Sequence, residues 1–295
     1  MTKGNVSHVT CRCERGTDPL ACCARADGTW YKQPERIEPA PPQTGFSHPG
    51  CYLRDSGDCD HAITDEHYVS SAALKAVDTV LSVSGLPWLK PGDSKNVPAE
   101  RLVSRVLCRR HNNSLGPLDA QGARFVRWIL KFGSSRSHPE VNEVLFNGLD
   151  LERWCLKTFL GLLSSASLQV ASGVVVREVR PLFRLIDLLS GRIADEHGRG
   201  LWVRTDAQQV STKRSLSVSP VWKPGTNRLS GLTLNIGGFD FLYSTAPILV
   251  EDSVFRPSQL RFRRREGLAT IDLSWPPGAS RSGPVEWRWS GSSQK

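Results

Sequence analysis

The sequence predicts an α+β protein, because the period of its apolar residues changes along the chain. Between residues 139 and 192 apolar side chains recur at helical spacing, whereas from about Gly200 they alternate every second residue. The first spacing indicates amphipathic helices and the second indicates half-buried strands. A stretch rich in cysteine and histidine, from Cys51 to His111, precedes both regions. We therefore expect a cysteine-bearing module, a helical middle segment and a small antiparallel β unit.

The composition is that of a soluble globular protein with a basic surface. Hydrophobic residues make up 39% of the 295 residues, charged residues make up 23%, and the net charge is +9. No apolar run approaches the length of a bilayer span, so we expect no membrane span and a cytoplasmic location. A basic protein can bind polyanions by neutralising phosphates, although the same charge also suits an ordinary solvated surface.

Residues 1–50 are predicted to form an irregular arm and linker. The stretch Gln33 to Pro49 is rich in Pro, Gly and Ser and has no apolar period. Four cysteines crowd the start of this arm, namely Cys11, Cys13, Cys22 and Cys23. Their spacing fits no standard zinc knuckle, so a second metal site and simple free thiols both stay open.

Residues 51–135 are predicted to form the cysteine-bearing module. Two short strands are expected between Cys51 and Ile63, with a turn at Asp55-Ser56-Gly57-Asp58. Apolar residues at helical spacing then predict one helix over Ser70 to Ser82 and a second over Asn113 to Phe132.

Three further regions complete the predicted organisation. Residues 136–199 read as helical, with Asp150 as an N-cap, Pro181 opening a further helix and Gly191 ending it. Residues 200–278 read as the antiparallel β unit, with a turn near Glu266-Gly267. Residues 279–295 read as a flexible tail.

Four residues have the character and spacing of metal ligands. They form two pairs, Cys51-x7-Cys59 and Cys108-x2-His111. A thiolate and an imidazole from one turn can reach the same tetrahedral ion, and a hairpin could bring the first pair to it. We expect a structural zinc ion, against the alternative of unrelated buried thiols. His61 could add a ligand beside Cys59 or lie in solvent.

Between the two pairs lies Ile63-Thr64-Asp65-Glu66-His67, and Asn112 directly follows the second pair. Here the chain resembles the HNH endonuclease superfamily over roughly residues 51–125. The resemblance implies a zinc-stabilised ββα-metal module, with His67 as general base and Glu66 with Asn112 holding a catalytic Mg²⁺ or Mn²⁺. Two features depart from the family pattern. Glu66 stands where Asp is usual, so Asp65 is an alternative ligand, and the nearest counterpart of the middle Asn is Asn96.

The resemblance implies an endonuclease or nickase that hydrolyses DNA phosphodiester bonds, which would suit restriction or anti-phage defence. Four arginines around the second pair could bind phosphates or simply solvate a helix face, namely Arg101, Arg105, Arg109 and Arg110. The alternative function is a non-catalytic, zinc-stabilised nucleic-acid-binding or adaptor protein. The C-terminal half could contact a protein partner.

Overall fold

A computed structural model gives the fold. It describes residues 11–14, 18–23, 36–77, 80–84, 90, 93–133, 142–165, 183–193, 199–205, 214–223, 229–247, 252–264, 267–276, 279 and 282–288. At positions 80–84, 99, 183 and 264 only the backbone is described. Helices and several sheets are both present, which confirms the α+β class.

The described residues before the first strand form short helical turns and no strand. After a short helix α1 (Pro19–Cys22), the chain forms a 3₁₀ turn at Arg54–Ser56 and enters strand β1 only at Ile63–His67. The two strands predicted between Cys51 and Ile63 are therefore wrong. The predicted turn is correct, since Gly57 has a φ of +66° in the left-handed region that favours glycine.

Strand β1 pairs antiparallel with a strand that comes much later in the chain, β4 (Val103–Cys108). Ile63 faces Cys108 at one end of the pair, and His67 faces Val103 at the other. The register shifts between Thr64 and Glu66. Cys59 lies shortly before β1 in the chain and His111 lies shortly after β4. The pairing of these two strands therefore brings the two residues close together.

The chain between β1 and β4 holds a helix and a hairpin. These are α2 (Ser71–Val77), β2 (Val80–Ser84) and β3 (Ser94–Pro98). The predicted helix over Ser70 to Ser82 is correct at its start but ends at Val77. β2 pairs antiparallel with β3 over its whole length. The residues from Val80 onward are therefore paired in a hairpin and do not continue the helix.

Two long helices form the centre of the molecule, α3 (Arg109–Gly133) and α4 (Gly148–Ser164). α3 begins directly after β4, four residues before the predicted start at Asn113. A Cβ atom at Gly122 of α3 would lie 2.1 Å from the Trp154 ring of α4, so the glycine allows the helices to approach closely. Most of α4 is buried on all sides.

The predicted helical segment, residues 136–199, contains a strand as well. β5 (Glu143–Asn147) leads directly into α4, and the Asn147 side chain caps that helix by accepting the N–H of Asp150. The N-cap is therefore Asn147, and Asp150 lies in the first turn. α5 (Phe183–Ser190) ends before Gly191, whose φ of +75° confirms its predicted role, whereas Pro181 lies outside the described residues.

The C-terminal half contributes most of two sheets. The first is five-stranded and antiparallel, in the order β10-β6-β9-β8-β7. Its strands in chain order are β6 (Gly200–Arg204), β7 (Leu216–Trp222), β8 (Leu229–Ile236), β9 (Phe239–Ser244) and β10 (Ser253–Phe255). This sheet matches the antiparallel unit that the alternation after Gly200 predicts.

The second sheet is four-stranded and mixed, in the order β13-β11-β12-β5. Its C-terminal strands are β11 (Gln259–Arg264), β12 (Gly267–Ser274) and β13 (Val285–Arg288). β11 and β12 form the predicted hairpin, but β13 and β5 add to its two sides in parallel. The prediction of a purely antiparallel unit is wrong here, and so is that of a flexible tail at residues 285–288.

One continuous apolar core joins the β1–β4 pair, α3, α4 and both large sheets. Aromatic rings fill the space where α3 meets the sheets, with Phe125 edge-to-face against both Phe146 and Phe241. Such pairs add to the stabilisation that burial alone provides. Within the described residues, no helix combines the length and apolarity that a membrane crossing requires.

Candidate metal centre and catalytic site

The four predicted metal ligands come together at one end of the β1–β4 pair. Cys51 and Cys59 lie on either side of the 3₁₀ turn, Cys108 ends β4, and His111 lies in the first turn of α3. Backbone hydrogen bonds fix the first two, from the Cys51 N–H to the His48 carbonyl and from the Cys59 N–H to the Phe46 carbonyl. The compact 3₁₀ turn, and not the expected hairpin, therefore brings Cys51 and Cys59 together.

The spacing of the donor atoms suits a single tetrahedral ion. The Nδ1 atom of His111 lies 3.5 Å from the Cys51 sulfur, 3.7 Å from that of Cys59 and 3.1 Å from that of Cys108. Tetrahedral zinc with ordinary bond lengths places a sulfur and a nitrogen ligand about 3.6 Å apart. All four donor atoms lie within 4.8 Å of one another, and all four residues are buried.

The surroundings orient these ligands. The Nε2 atom of His111 lies 3.0 Å from the Ser56 hydroxyl, which fixes the ring and leaves Nδ1 facing the sulfurs. The N–H groups of Asp60 and His111 donate to the Cys108 sulfur at 3.3 and 3.5 Å. Such hydrogen bonds stabilise negative charge on a ligating thiolate.

Burial lowers the pKa of His111 to about 4, so its ring is in the neutral form that binds metal. Burial also raises the pKa of the Cys51 and Cys59 thiols, so the dry site by itself does not favour thiolates. A cation reverses that preference, because a coordinating thiol loses its proton. The buried Cys₃His set therefore suits a structural metal such as zinc.

His61 does not belong to this cluster. It is exposed and its ring lies against Phe46, with the ring centroids 4.0 Å apart. Of the two predictions for His61, a metal ligand beside Cys59 or a residue in solvent, the second is confirmed.

Glu66 is buried near the end of β1, where Lys157 of α4 contacts both it and Asp119 of α3. The Lys157 ammonium of α4 contacts the Glu66 carboxylate and lies 2.7 Å from the Asp119 carboxylate of α3. Burial raises the pKa of both Glu66 and Asp119, and the Lys157 charge opposes that rise. Within the part of the chain that is described, the second Asp119 oxygen, Oδ1, is buried without a hydrogen-bond partner. Asp65, the alternative to Glu66, is exposed.

Asn112 and Asp119 lie two turns apart on the same face of α3. The Asn112 amide donates to the Thr64 hydroxyl of β1 at 3.1 Å, and its hydrogen bonding also lowers the pKa of Glu66. Gly116 lies between them on that face, and no described atom outside the helix comes within 4 Å of the position of a Cβ there. The face that carries both oxygen-bearing side chains therefore has open space beside it.

His67 is half-buried at the end of β1, next to the charged cluster. Burial lowers its pKa, and the charges of Lys157 and Lys75 lower it further, whereas those of Asp119 and Glu100 raise it. The net direction is downward, so the ring is neutral at pH 7 and can accept a proton.

The four predicted phosphate-binding arginines differ in what they contact. Arg101 and Arg105 are exposed, and Arg109 is exposed while paired with Asp60 at 3.0 Å. Arg110 instead binds the Asp58 carboxylate and the Pro42 carbonyl, both at 2.9 Å, so it holds the arm against the metal centre.

Two members of the charged cluster, Asp119 and Lys157, were not predicted from the sequence. Asp119 follows Asn112 by seven residues, a spacing that places both on one helix face. Lys157 is the one charged residue in the mostly apolar run from Leu156 to Leu163, which Thr158 also interrupts. A lysine in such a run is a signal of a buried partner, since buried lysines are almost always paired.

Comparison of the chain with protein-family models, with curated proteins and with solved structures finds no match.

Proposed function

We propose that this chain is a metal-dependent endonuclease of the HNH type that hydrolyses DNA phosphodiester bonds. The observation that carries the proposal is the charged cluster beside His67. It holds one buried and one partly exposed carboxylate, Glu66 and Asp119, for one ammonium, and Asn112 and an open helix face lie next to it. The antiparallel pair of β1 and β4, followed by α3 and tied by a Cys₃His site, is the order of elements that the ββα-metal module would require.

Each residue has a role that its surroundings favour. His67, neutral at pH 7, would accept a proton from the attacking water. Glu66, Asn112 and Asp119 would supply the oxygen atoms that hold Mg²⁺ or Mn²⁺. A divalent ion held there would supply positive charge against the phosphate oxygens.

Lys157 acts as a positioning residue in this scheme. Its ammonium holds the carboxylates of Glu66 and Asp119 near each other when no divalent ion is bound. Because like charges repel in a dry site, two unpaired carboxylates would otherwise separate or take up a proton. The lysine thus keeps the site assembled, and a divalent ion has to compete with it.

The test is nicking of supercoiled plasmid by purified protein across a titration of Mg²⁺ or Mn²⁺. His67→Ala should lose about 10²–10⁴-fold in rate, the usual contribution of a general base. His61→Ala is the matched control, since this exposed histidine lies outside the cluster, and it should cut like the parent protein. Equal cutting by His67→Ala and the parent would remove His67 as the base.

A second candidate function is a zinc-stabilised nucleic-acid-binding or adaptor protein without catalysis. The observation that favours it is that Lys157 already neutralises part of the carboxylate charge, as in a purely structural ion cluster. Absence of cutting with every divalent metal, combined with DNA binding that weakens steeply as salt rises, would support this reading. Arg105→Ala with Arg109→Ala should then reduce the salt dependence, because these side chains are exposed, whereas Arg110 is not free to bind phosphate.

A further inference from the structure

We propose that the four N-terminal cysteines, Cys11, Cys13, Cys22 and Cys23, bind a second structural zinc ion, which clamps the N-terminal segment onto the mixed sheet. Their four sulfur atoms lie within 4.8 Å of one another. Cys22 lies 3.2 Å from Cys13 and 3.5 Å from Cys23, measured between sulfurs. Tetrahedral zinc places two sulfur ligands about 3.8 Å apart, so small movements would complete the site.

Two separate turns bring the cysteines together. In the first, the Glu14 N–H donates to the Cys11 carbonyl at 2.8 Å, and Glu14 has a φ of +63°. In the second, the Asp18 side chain caps α1, and the Cys23 N–H bonds to the Pro19 carbonyl at the other end. Each turn presents two sulfurs to the same point, as a knuckle does. The spacing within each pair is unusual, which is why the sequence pattern alone left the site open.

Cys11, Cys13 and Cys23 are buried and Cys22 is half-buried, although the segment is too short to have a core of its own. Cys11 and Cys23 are each 2% exposed, and Leu145 of β5 is the apolar residue they pack against. Segments of this size normally need a metal or disulfides to hold a fixed structure. No disulfide is present among the described cysteines, and one disulfide would leave two of the four thiols buried and unused.

The segment docks on the mixed sheet through polar contacts around this cluster. The Leu145 N–H donates to the Arg12 carbonyl at 3.0 Å, and the Arg12 guanidinium pairs with Asp272 of β12 and Glu143 of β5. Arg124 of α3 is 8% exposed and binds Glu14, the Arg12 carbonyl and the Leu145 carbonyl. The metal would fix the two turns in the shape that these contacts require.

The test is elemental analysis of purified, reduced full-length protein after removal of loosely held metal. The parent should contain two zinc ions per chain. Cys13→Ser with Cys22→Ser should contain one, and Cys155→Ser, which removes an isolated buried thiol of α4, should still contain two. Substitution with Co²⁺ provides a second readout, because a four-sulfur site and a Cys₃His site differ in their thiolate charge-transfer absorption.

Three results would overturn the proposal. One is a single zinc ion in the parent that persists in the double variant. Another is a disulfide between two of these cysteines, located by peptide mass mapping of parent protein purified without reductant. The third is a Co²⁺ spectrum that Cys13→Ser with Cys22→Ser leaves unchanged. None of them bears on nicking at His67, so failure here is distinguishable from failure of the proposed nuclease.

Discussion

Helix α4 carries four buried charged residues, and two of them, Glu152 and Lys157, are neutralised in different ways. Glu152 meets Arg256 one to one, with each carboxylate oxygen 2.8 Å from a guanidinium nitrogen. One of those oxygens also accepts the Leu201 N–H at 2.8 Å. Lys157, five residues further along, instead faces two carboxylates, those of Glu66 and Asp119.

The difference is one of charge balance rather than burial. The Glu152 pair has equal opposite charges and a bidentate geometry, which suits a structural contact. The Lys157 cluster has one negative charge in excess, and one Asp119 oxygen is buried without a partner among the described residues. An excess of negative charge around a buried ammonium favours a further cation. The candidate divalent-ion site therefore lies beside Lys157 and not beside Glu152.

The largest expected loss of folding stability comes from breaking the Glu152–Arg256 pair. Arg256→Met should destabilise the fold by about 3–5 kcal/mol, because it leaves the Glu152 charge buried and uncompensated. Burial raises the pKa of Glu152, so it takes up a proton more readily when folded. The loss should therefore be full at pH 8 and smaller as the pH falls and Glu152 is protonated.

Urea unfolding, followed by tryptophan fluorescence at several pH values, measures the loss of stability in Arg256→Met and its dependence on pH. Nicking per folded molecule and zinc content serve as controls and should match the parent. A loss below about 1 kcal/mol would mean that the pair is not the structural anchor its geometry indicates.

Lys157→Met should have a smaller effect on stability, about 2–3 kcal/mol at neutral pH, since Asp119 is partly exposed and can be solvated. If the cluster holds a divalent ion, Mg²⁺ or Mn²⁺ should raise the melting temperature of this variant more than that of the parent, because the competing ammonium is gone. Thermal unfolding with and without the metal tests it, with Arg256→Met as the matched comparison. An equal response in all three proteins would favour the non-catalytic reading.

Asp119→Asn should have the smallest effect on stability, within about 1 kcal/mol, because it removes the excess charge and nearly preserves shape. Asp119 raises the pKa of His67, so its loss should lower that pKa further. In the proposed mechanism the neutral ring is the base, so the rate should rise as the pH increases through this pKa. The rise should therefore begin at lower pH in the variant, and more divalent metal should be needed.

A pH–rate profile and NMR titration of the His67 ring, assigned with His67→Ala, give the two readouts. Lys75 and Glu100 also act on this ring, so Lys75→Met is a useful control and should shift the pKa upward. An unchanged His67 pKa in Asp119→Asn would show that the carboxylate does not act on the base.

The sequence predicts the candidate metal centre better than the charged cluster, for a physical reason. Cys108 and His111 lie within one turn, so their spacing in sequence fixes their spacing in space. Asp119 and Lys157 meet only because α3 packs on α4, and no local pattern records that contact. The strands β5 and β13 were missed for the same reason, since parallel neighbours are distant in sequence.

The close contact between Gly122 and Trp154 sets the distance between α3 and α4. Asp119 lies one turn before that glycine, and Lys157 lies one turn after that tryptophan. A single methyl group at position 122 would push the two helix axes apart and lengthen an ion pair that it does not touch. Gly122→Ala would therefore act on the candidate divalent-ion site from a distance. If that site binds a cation, the missing side chain at position 122 in the apolar core would help to set its affinity.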